Sequence, residues 1–168
     1  MLITVDCGVT GQQEIALAQE LGMRVIVTDH HTLPESLPPA DVLLHPTVGD
    51  FPCKELCGAG LAYKLCCALT QKKILPCLEL AGLATIADMV PLRGENRALA
   101  ALGLRMMRDS ARPGLRALLR VAGIGEQEEI SGTQAAFMLA PRINACGRMA
   151  SAGIALELMT THDAARRH

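Results

Sequence analysis

A short apolar run that ends in an acid and two histidines constrains this chain more than any other stretch. The run is Val25–Thr28, and Asp29, His30 and His31 follow it directly. Valine, isoleucine and threonine are typical strand residues, and a short apolar run of this kind is typical of a buried strand. In open α/β sheets, ligands bind at the carboxyl ends of the strands. The sequence therefore predicts an α/β fold with ligand-type side chains where this strand ends.

The first residues of the chain repeat this pattern. Leu2–Val5 is a short apolar run, and Asp6 follows it. The segment between the two runs has apolar residues at helical spacing and ends at Gly22, which suits a helix C-cap. A strand, a crossover helix and a second strand form a βαβ unit, whose strands are parallel. Asp6 and Asp29 are therefore expected at the same edge of one sheet.

Length and composition set the limits of the fold. The chain has 168 residues, of which half are apolar, and this suits one ordinary domain with its own core. The formal net charge of −1 gives no overall attraction to nucleic acid or acidic lipid, so a polyanion would need a local site. Seven cysteines follow no spaced disulfide framework, and no signal peptide or roughly 18-residue apolar span is present. These features favour a soluble, cytoplasmic protein with free thiols.

The rest of the chain predicts one more strand and a series of helices. The third strand is expected over residues 41–44 and is stopped by His45 and Pro46. Helices are expected over residues 58–70, 78–87, 96–108, 114–121, 133–139 and 154–159. Residues 123–131 are polar and suit a surface connection, and residues 161–168 begin like a capped helix.

Six stretches, in this order, resemble the DHH phosphoesterases and, within that family, the RecJ-type exonucleases. They are ITVDCG at 3–8, VIVTDHH at 25–31, LCGAGLAYKL at 56–65, ATIADMVPLRGENR at 84–97, RPGLRALL at 112–119 and APRINACGRM at 140–149. The resemblance implies a three-layer αβα domain with a mainly parallel sheet. It also implies metal-dependent phosphodiester hydrolysis, as a 5′ to 3′ exonuclease on single-stranded DNA in repair and recombination.

The resemblance also implies which residues form the metal site. The matched positions place Asp6, His30 and Asp88 among the ligands of Mn²⁺ or Mg²⁺. Carboxylate oxygens with one imidazole suit these ions, in agreement with that assignment. Asp29 would orient the imidazoles, and His31 would contact the scissile phosphate.

A second group of matched residues is implied for substrate binding. Arg142, Asn144 and Arg148 resemble the family's contacts to the phosphate backbone, and the planar guanidinium of arginine can bind a phosphate with two parallel hydrogen bonds. Surface arginines that pair with acids are routine, so this stays the alternative interpretation of the two arginines. Aromatic residues for base stacking are few, since Tyr63, Phe51 and Phe137 are the three in the chain.

The chain departs from the family at both ends. The family's first aspartate motif has no counterpart before Asp6, and its substrate-clamping domain and OB-fold have none after His168. We therefore expect residues 1–168 to be a partial DHH catalytic domain, with at most one weak metal site instead of two ions and little activity alone. Missing first strands would leave an exposed sheet edge, which favours self-association.

Other interpretations stay open at this stage. A relative that hydrolyses short oligonucleotides or cyclic dinucleotides is one alternative, and a DHH scaffold without catalysis in a replication or repair assembly is another. Gly58 and Gly60 open a predicted helix, where backbone amides could hold a phosphate, but helix entry and close packing explain them equally well. Cys53 and Cys57 lack the C-x₂-C spacing that would make a zinc site persuasive, and they suit packed free thiols.

Overall fold

The computed structural model describes residues 1–125, 128–149 and 151–161, and for residues 147–149 it describes the backbone alone. The chain divides into two compact units. The first contains residues 1–74 and 90–97, and the second contains residues 75–89 and 98–168.

The first unit is built on a parallel sheet of three strands within the described residues. They are β1 (Leu2–Val5), β2 (Val25–Thr28) and β3 (Val42–Leu44), in the order β1-β2-β3. The register aligns Val5 with Thr28, and Thr28 with Leu44. Because all three strands end at the same level, the residues that follow them share one edge of the sheet. This confirms the predicted α/β fold and the strand positions.

A crossover helix joins the first two strands and covers the sheet. Helix α1 (Gln12–Glu20) places Ile15 and Ala18 in a buried cluster with Val25 and Val27 of β2. These four side chains are almost fully removed from water. The apolar spacing that predicted this helix is therefore the face that packs on the strand.

Helix α2 also belongs to the first unit. It runs from Gly58 to Thr70, as the sequence predicts, and the Sγ of Cys57 caps its first turn by accepting from the amide of Gly60 at 3.4 Å. Leu61 is buried in its first turn. Helix α2 contacts both β1 and β2. Helix α2 therefore packs beside the first two strands of the sheet.

The second unit is helical in its described residues. Its helices are α3 (Leu75–Ala87), α4 (Gly94–Arg108), α5 (Pro113–Val121), α6 (Gly132–Gln134), α7 (Ala140–Met149) and α8 (Ala152–Thr160). The first residues of α4 belong to the first unit. Its core is aliphatic and includes Leu83, Met107, Leu115, Leu118 and Leu139, together with Met159 at its margin. None of the described helices combines the length and the apolar character that crossing a membrane requires.

One helical region differs from the prediction. The segment predicted as a short helix over 133–139 begins as α6, widens into a π-helical turn at Ala135–Leu139 and continues into α7. In a regular α-helix the ring of Pro141 would meet the carbonyl of Phe137. A wider turn just before a proline relieves this conflict, so the helix passes through a residue at which sequence reasoning expects a break. The predicted helix over 161–168 lies outside the described residues after Thr161.

Candidate metal centre at the carboxyl edge of the sheet

Asp6 leaves the end of β1 in an unusual backbone conformation. Its φ of 64° lies in the left-handed region, which few residues other than glycine adopt. Its amide nevertheless donates to the carbonyl of Thr28 at 2.9 Å and so extends the pairing of β1 with β2 by one residue. The turn therefore fixes Asp6 directly beside the end of β2.

The carboxylate of Asp6 meets two imidazoles there. The Nε2 of His30 lies 3.1 Å from Oδ1 of Asp6, and the rings of His30 and His31 stand 4.6 Å apart between centroids. One ligand-type atom from each of these three residues lies within 4.8 Å of the others. His30 is largely buried, whereas the side chains of Asp6 and His31 are 57% and 60% exposed. The cluster is thus held by protein on one side and open to solvent on the other.

Asp29 is the buried centre of this arrangement, since it is 1% exposed. Its Oδ2 accepts from the amide of Val9 at 3.0 Å, and its Oδ1 accepts from the amides of His30 at 2.7 Å and His31 at 3.2 Å. The same Oδ1 lies 2.6 Å from Nδ1 of His31. Burial acts to raise the pKa of Asp29, but these hydrogen bonds outweigh it and hold that pKa below the ordinary value. Asp29 is therefore a carboxylate that fixes the loop of both histidines.

A third histidine supports the same loop from β3. His45 follows Leu44, is 3% exposed, and has its Nε2 2.8 Å from the carbonyl of His31. Its Nδ1 accepts from the amide of Thr47 at 3.2 Å and lies 2.9 Å from the Thr47 hydroxyl. Because Nδ1 accepts from an amide, the Nε2 nitrogen carries the proton and donates to His31. His45 therefore supports the main chain of His31.

The donor set of the cluster fits a hard or borderline divalent cation. One carboxylate and two imidazoles are ligands of Mn²⁺ and its neighbours in the first transition series, and no thiolate lies in the group. Asp29 supplies the outer carboxylate that commonly orients a ligating histidine. The arrangement can bind such a cation on its open side.

The structure brings together four of the residues predicted from the sequence, Asp6, Asp29, His30 and His31. Asp88 belongs to the second unit, where its amide donates to the carbonyl of Ala84 as the last turn of α3 ends. A ligand set that includes Asp88 stays a prediction.

The predicted phosphate contacts also belong to the second unit. Arg142 and Asn144 are exposed on α7, and the Nη1 of Arg142 donates to the carbonyl of Met138 at 2.6 Å. The side chain of Arg148 lies outside the described residues. Within the part of the chain that the structure describes, Arg142 shows no ion pair with an acid. Their role toward a phosphate stays a prediction.

Sequence reasoning missed two groups that shape the site. The amide of Val9 holds Asp29 from a turn that carries no chemical signature, so no signal could have found it. His45 could have been found, because it directly follows the third parallel strand and so lies at the same sheet edge as Asp6 and Asp29. In the sequence, its position before Pro46 indicates only the end of the strand.

Comparisons with known proteins identify the family of this chain. The model of the DHH family, N-terminal domain, matches residues 1–87. The single-stranded-DNA-specific exonuclease RecJ of Bacillus subtilis (strain 168) is 42% identical over 165 residues, which cover 97% of this chain and 21% of that protein. RecJ of Haemophilus influenzae is 38% identical over 179 residues, which cover 97% of this chain and 31% of that protein. The chain thus spans between a fifth and a third of the length of these relatives.

Solved structures of RecJ are also similar to this chain. The crystal structure of RecJ in complex with Mn²⁺ from Thermus thermophilus superposes with a TM-score of 0.88 at 41% identity, over 99% of this chain and 26% of that one. A crystal structure of exonuclease RecJ bound to manganese gives a TM-score of 0.87 at 41% identity, over 98% of this chain and 43% of that one. A crystal structure of RecJ in complex with Mg²⁺ from Thermus thermophilus is also similar, with a TM-score of 0.76 at 38% identity, over 99% of this chain and 23% of that one.

Proposed function

We propose, from the premise that this chain belongs to the DHH family, that its sheet edge is part of a metal-dependent phosphodiesterase site acting on single-stranded DNA. The observation that carries the proposal is the convergence of Asp6, His30 and His31 around the buried Asp29. The names of the relatives, single-stranded-DNA-specific exonucleases, support the substrate class.

Asp6 and His30 would hold a divalent cation, with Asp88 as a further ligand by resemblance to the family. Relatives crystallised with Mn²⁺ or Mg²⁺ support the choice of ion. When bound, such a cation supplies a water of lowered pKa and offsets negative charge on a phosphate. The contribution of this chain is to keep carboxylate and imidazole oriented before the ion arrives, so that little rearrangement opposes binding.

The role proposed for His31 follows from its tautomer. Asp29 accepts at 2.6 Å from Nδ1 of His31, which fixes the proton on that nitrogen in a neutral ring. The opposite nitrogen, Nε2, then accepts in a neutral ring and donates in a protonated one. On a side chain that is 60% exposed, this nitrogen can contact a phosphate of the substrate. We assign His31 to that contact and Asp29 to its orientation.

Substrate binding would use the second unit as well. Arg142 and Asn144 are exposed on α7, and together with Arg148 they would bind phosphates of the DNA backbone. The resemblance to the RecJ-type exonucleases leads us to propose 5′ to 3′ exonuclease activity for a longer protein that contains this domain. The seven cysteines are free thiols, which supports a site of action in the cytoplasm.

Strand β1 also favours association with a second copy. It lies at one edge of the described sheet, and its side chains Leu2, Ile3 and Val5 are partly to half exposed. Unpaired backbone groups beside apolar side chains offer a template for another strand. We expect a concentration-dependent dimer in light scattering that Ile3→Lys abolishes, whereas a wild-type monomer at all concentrations would contradict the proposed association.

The metal site is tested by titrating Mn²⁺ into the wild type and Asp6→Ala by calorimetry. We expect weak binding by the wild type and none by Asp6→Ala. Asp50→Ala is the matched control, because it removes an exposed carboxylate from a loop of the same unit. Hydrolysis of a 5′-labelled single strand in Mn²⁺ then tests activity. Binding that survives in Asp6→Ala, or that is absent from the wild type, would contradict the proposal.

A further inference from the structure

We propose that Gly58 is a positioning residue whose missing side chain leaves the space in which the carboxylate of Asp6 is held. The proposal rests on the proposed function only in taking Asp6 as a metal ligand. The sequence left the glycine open between a phosphate-binding helix start and close packing. The structure shows the close packing, and the group that it admits is the carboxylate of Asp6 itself.

The space beside Gly58 that a β-carbon would fill is occupied by the side chain of Asp6. A β-carbon built on Gly58 would overlap Oδ1 of Asp6 and would stand 2.9 Å from the β-carbon of Asp6. Real β-carbons do not approach other atoms this closely. Rotation of the Asp6 side chain could move Oδ1 out of the overlap, but it would also turn the carboxylate away from its present position, and the 2.9 Å approach to the β-carbon of Asp6, which its own backbone fixes, would remain. A side chain at position 58 therefore requires a shift of the main chain.

The main chain of Asp6 has little freedom to give way. Its φ of 64° is the left-handed conformation, which asparagine and aspartate tolerate better than other side chains but which still carries strain. Its amide is bonded to the carbonyl of Thr28 at 2.9 Å. Any displacement of Asp6 breaks the pairing at the end of β1 or changes its distance from His30.

Helix α2 is anchored just as firmly on the other side of the contact. Cys57 is buried and bonds the amide of Gly60 through Sγ, and its carbonyl accepts from the amide of Leu61 at 2.9 Å. Leu61 is itself 1% exposed. The helix start cannot retreat without exposing these groups, so a larger residue at 58 acts mainly on Asp6.

The contact also has a favourable electrostatic side. Gly58 is the first residue of α2, where backbone amides point outward and the helix dipole favours negative charge. The absence of a side chain lets a carboxylate approach this helix start directly. The glycine thus serves the orientation of Asp6 both by leaving space and by exposing the helix end.

The test compares two glycines at the same helical position. Gly58 and Gly132 each follow an N-cap residue, but a β-carbon on Gly132 would meet nothing within 4 Å. We expect Gly58→Ala to weaken Mn²⁺ binding by about 10-fold or more, a loss typical of disturbing the support of a metal ligand. Gly132→Ala is expected to bind as the wild type does. Equal Mn²⁺ affinity in Gly58→Ala and the wild type would overturn the proposal.

A second measurement without metal separates this contact from a general packing role. Gly58→Ala is expected to lower the melting temperature of the wild type but not that of Asp6→Gly, in which the overlapping atoms are gone. An equal drop in both backgrounds would overturn the proposal, since the conflict would then lie with other atoms. Absence of Mn²⁺ binding by the wild type would contradict the proposed function alone, because the melting experiment still decides whether Gly58 positions Asp6.

Discussion

Each of the two units buries a carboxylate, and the two are satisfied in different ways. In the first unit Asp29 accepts from the amide of Val9 and from the amide and ring of His31. In the second unit Glu79 pairs with Arg112, whose Nε lies 2.7 Å from its Oε1. Asp29 is 1% exposed and Glu79 is 4% exposed, so burial alone does not distinguish them.

The donors distinguish the two sites. Arg112 also donates to the carbonyl of Met159 at 2.9 Å and to that of Pro76 at 3.0 Å. Its guanidinium therefore connects the carboxyl end of α8 and the amino end of α3 to the start of α5. The hydrogen-bond partners described for Glu79 and Arg112 all lie within the second unit. Asp29 instead orients a side chain that stays open to solvent. The two buried acids therefore differ in the exposure of the side chain that donates to them, which is 60% for His31 and 18% for Arg112.

The largest expected effect is loss of stability at the structural pair. Glu79→Ala leaves Arg112 without its carboxylate, and breaking a buried pair in this way costs about 3–5 kcal/mol of the free energy of unfolding. Urea denaturation measures this loss. The double variant Glu79→Met/Arg112→Met is the control, because it removes both charges and is expected to recover much of the stability. A loss as large in the double variant would show that the hydrogen bonds of Arg112 to the carbonyls of Met159 and Pro76, rather than its pairing with Glu79, carry the stability.

The second prediction concerns Asp29, for which we propose a role in orienting the metal site. Asp29→Asn keeps the shape of the side chain but replaces one acceptor oxygen with an NH₂ donor. This donor would face another N–H donor, either a backbone amide or the ring of His31. We expect the free energy of unfolding to fall by about 1–3 kcal/mol, and Mn²⁺ affinity to fall by about 10- to 100-fold. Calorimetry and urea denaturation measure the two.

The control for this prediction is Asp41→Asn in the same unit. Asp41 also accepts from a backbone amide, that of Val25 at 2.7 Å, but it orients no predicted ligand. Asp41→Asn is expected to leave Mn²⁺ affinity unchanged. Equal Mn²⁺ affinity in Asp29→Asn and Asp41→Asn would contradict the role proposed for Asp29 at the metal site.

A smaller effect is expected at His45, which tests how far support of the metal site extends. His45→Ala removes the hydrogen bond to the carbonyl of His31 and is expected to cost about 1 kcal/mol of stability. Mn²⁺ affinity is expected to weaken less than in Asp29→Asn. His45→Gln restores an N–H of similar reach and is the control, so affinity should recover in it. Mn²⁺ affinity unchanged in His45→Ala would restrict the support to Asp29.

The smallest effect is a pH dependence at Asp41. The amide of Val25 and the side chain of Gln19 lower the pKa of Asp41 against the opposing effect of burial, with a further contribution from Arg24. Since the folded pKa lies below the unfolded value, the stabilisation is fully present above the unfolded pKa and is lost as pH falls through the folded one.

Urea denaturation of the wild type and Asp41→Asn at several pH values checks this prediction. The difference in stability is expected to be constant at neutral pH and to shrink as pH falls below about 4, near the ordinary pKa of aspartate. Titration of Asp29 cancels in the difference, because both proteins contain it. A difference that grows on acidification would contradict the assigned direction.

The sequence by itself determined the strands, most helices and the shared edge of the sheet. Short apolar runs before Asp6 and Asp29, joined by one helical pattern, require parallel strands that end together. Six motifs in a fixed order indicated the DHH family. These features are local or follow from chain connectivity, so spacing along the chain suffices to predict them. The Asp88 ligand and the contacts of Arg142, Asn144 and Arg148 remain predictions.

The tertiary structure alone decided what holds the site in place. The amide that binds Asp29, the imidazole that holds His31 and the glycine that admits Asp6 come from turns and elements distant in sequence. Helix α7 likewise continues beyond Pro141 because a π-helical turn precedes it. The physical reason is that a hydrogen bond or a steric contact is made or lost when a distance changes by a few tenths of an ångström. Packing sets such distances, and the spacing of residues along the chain does not record them.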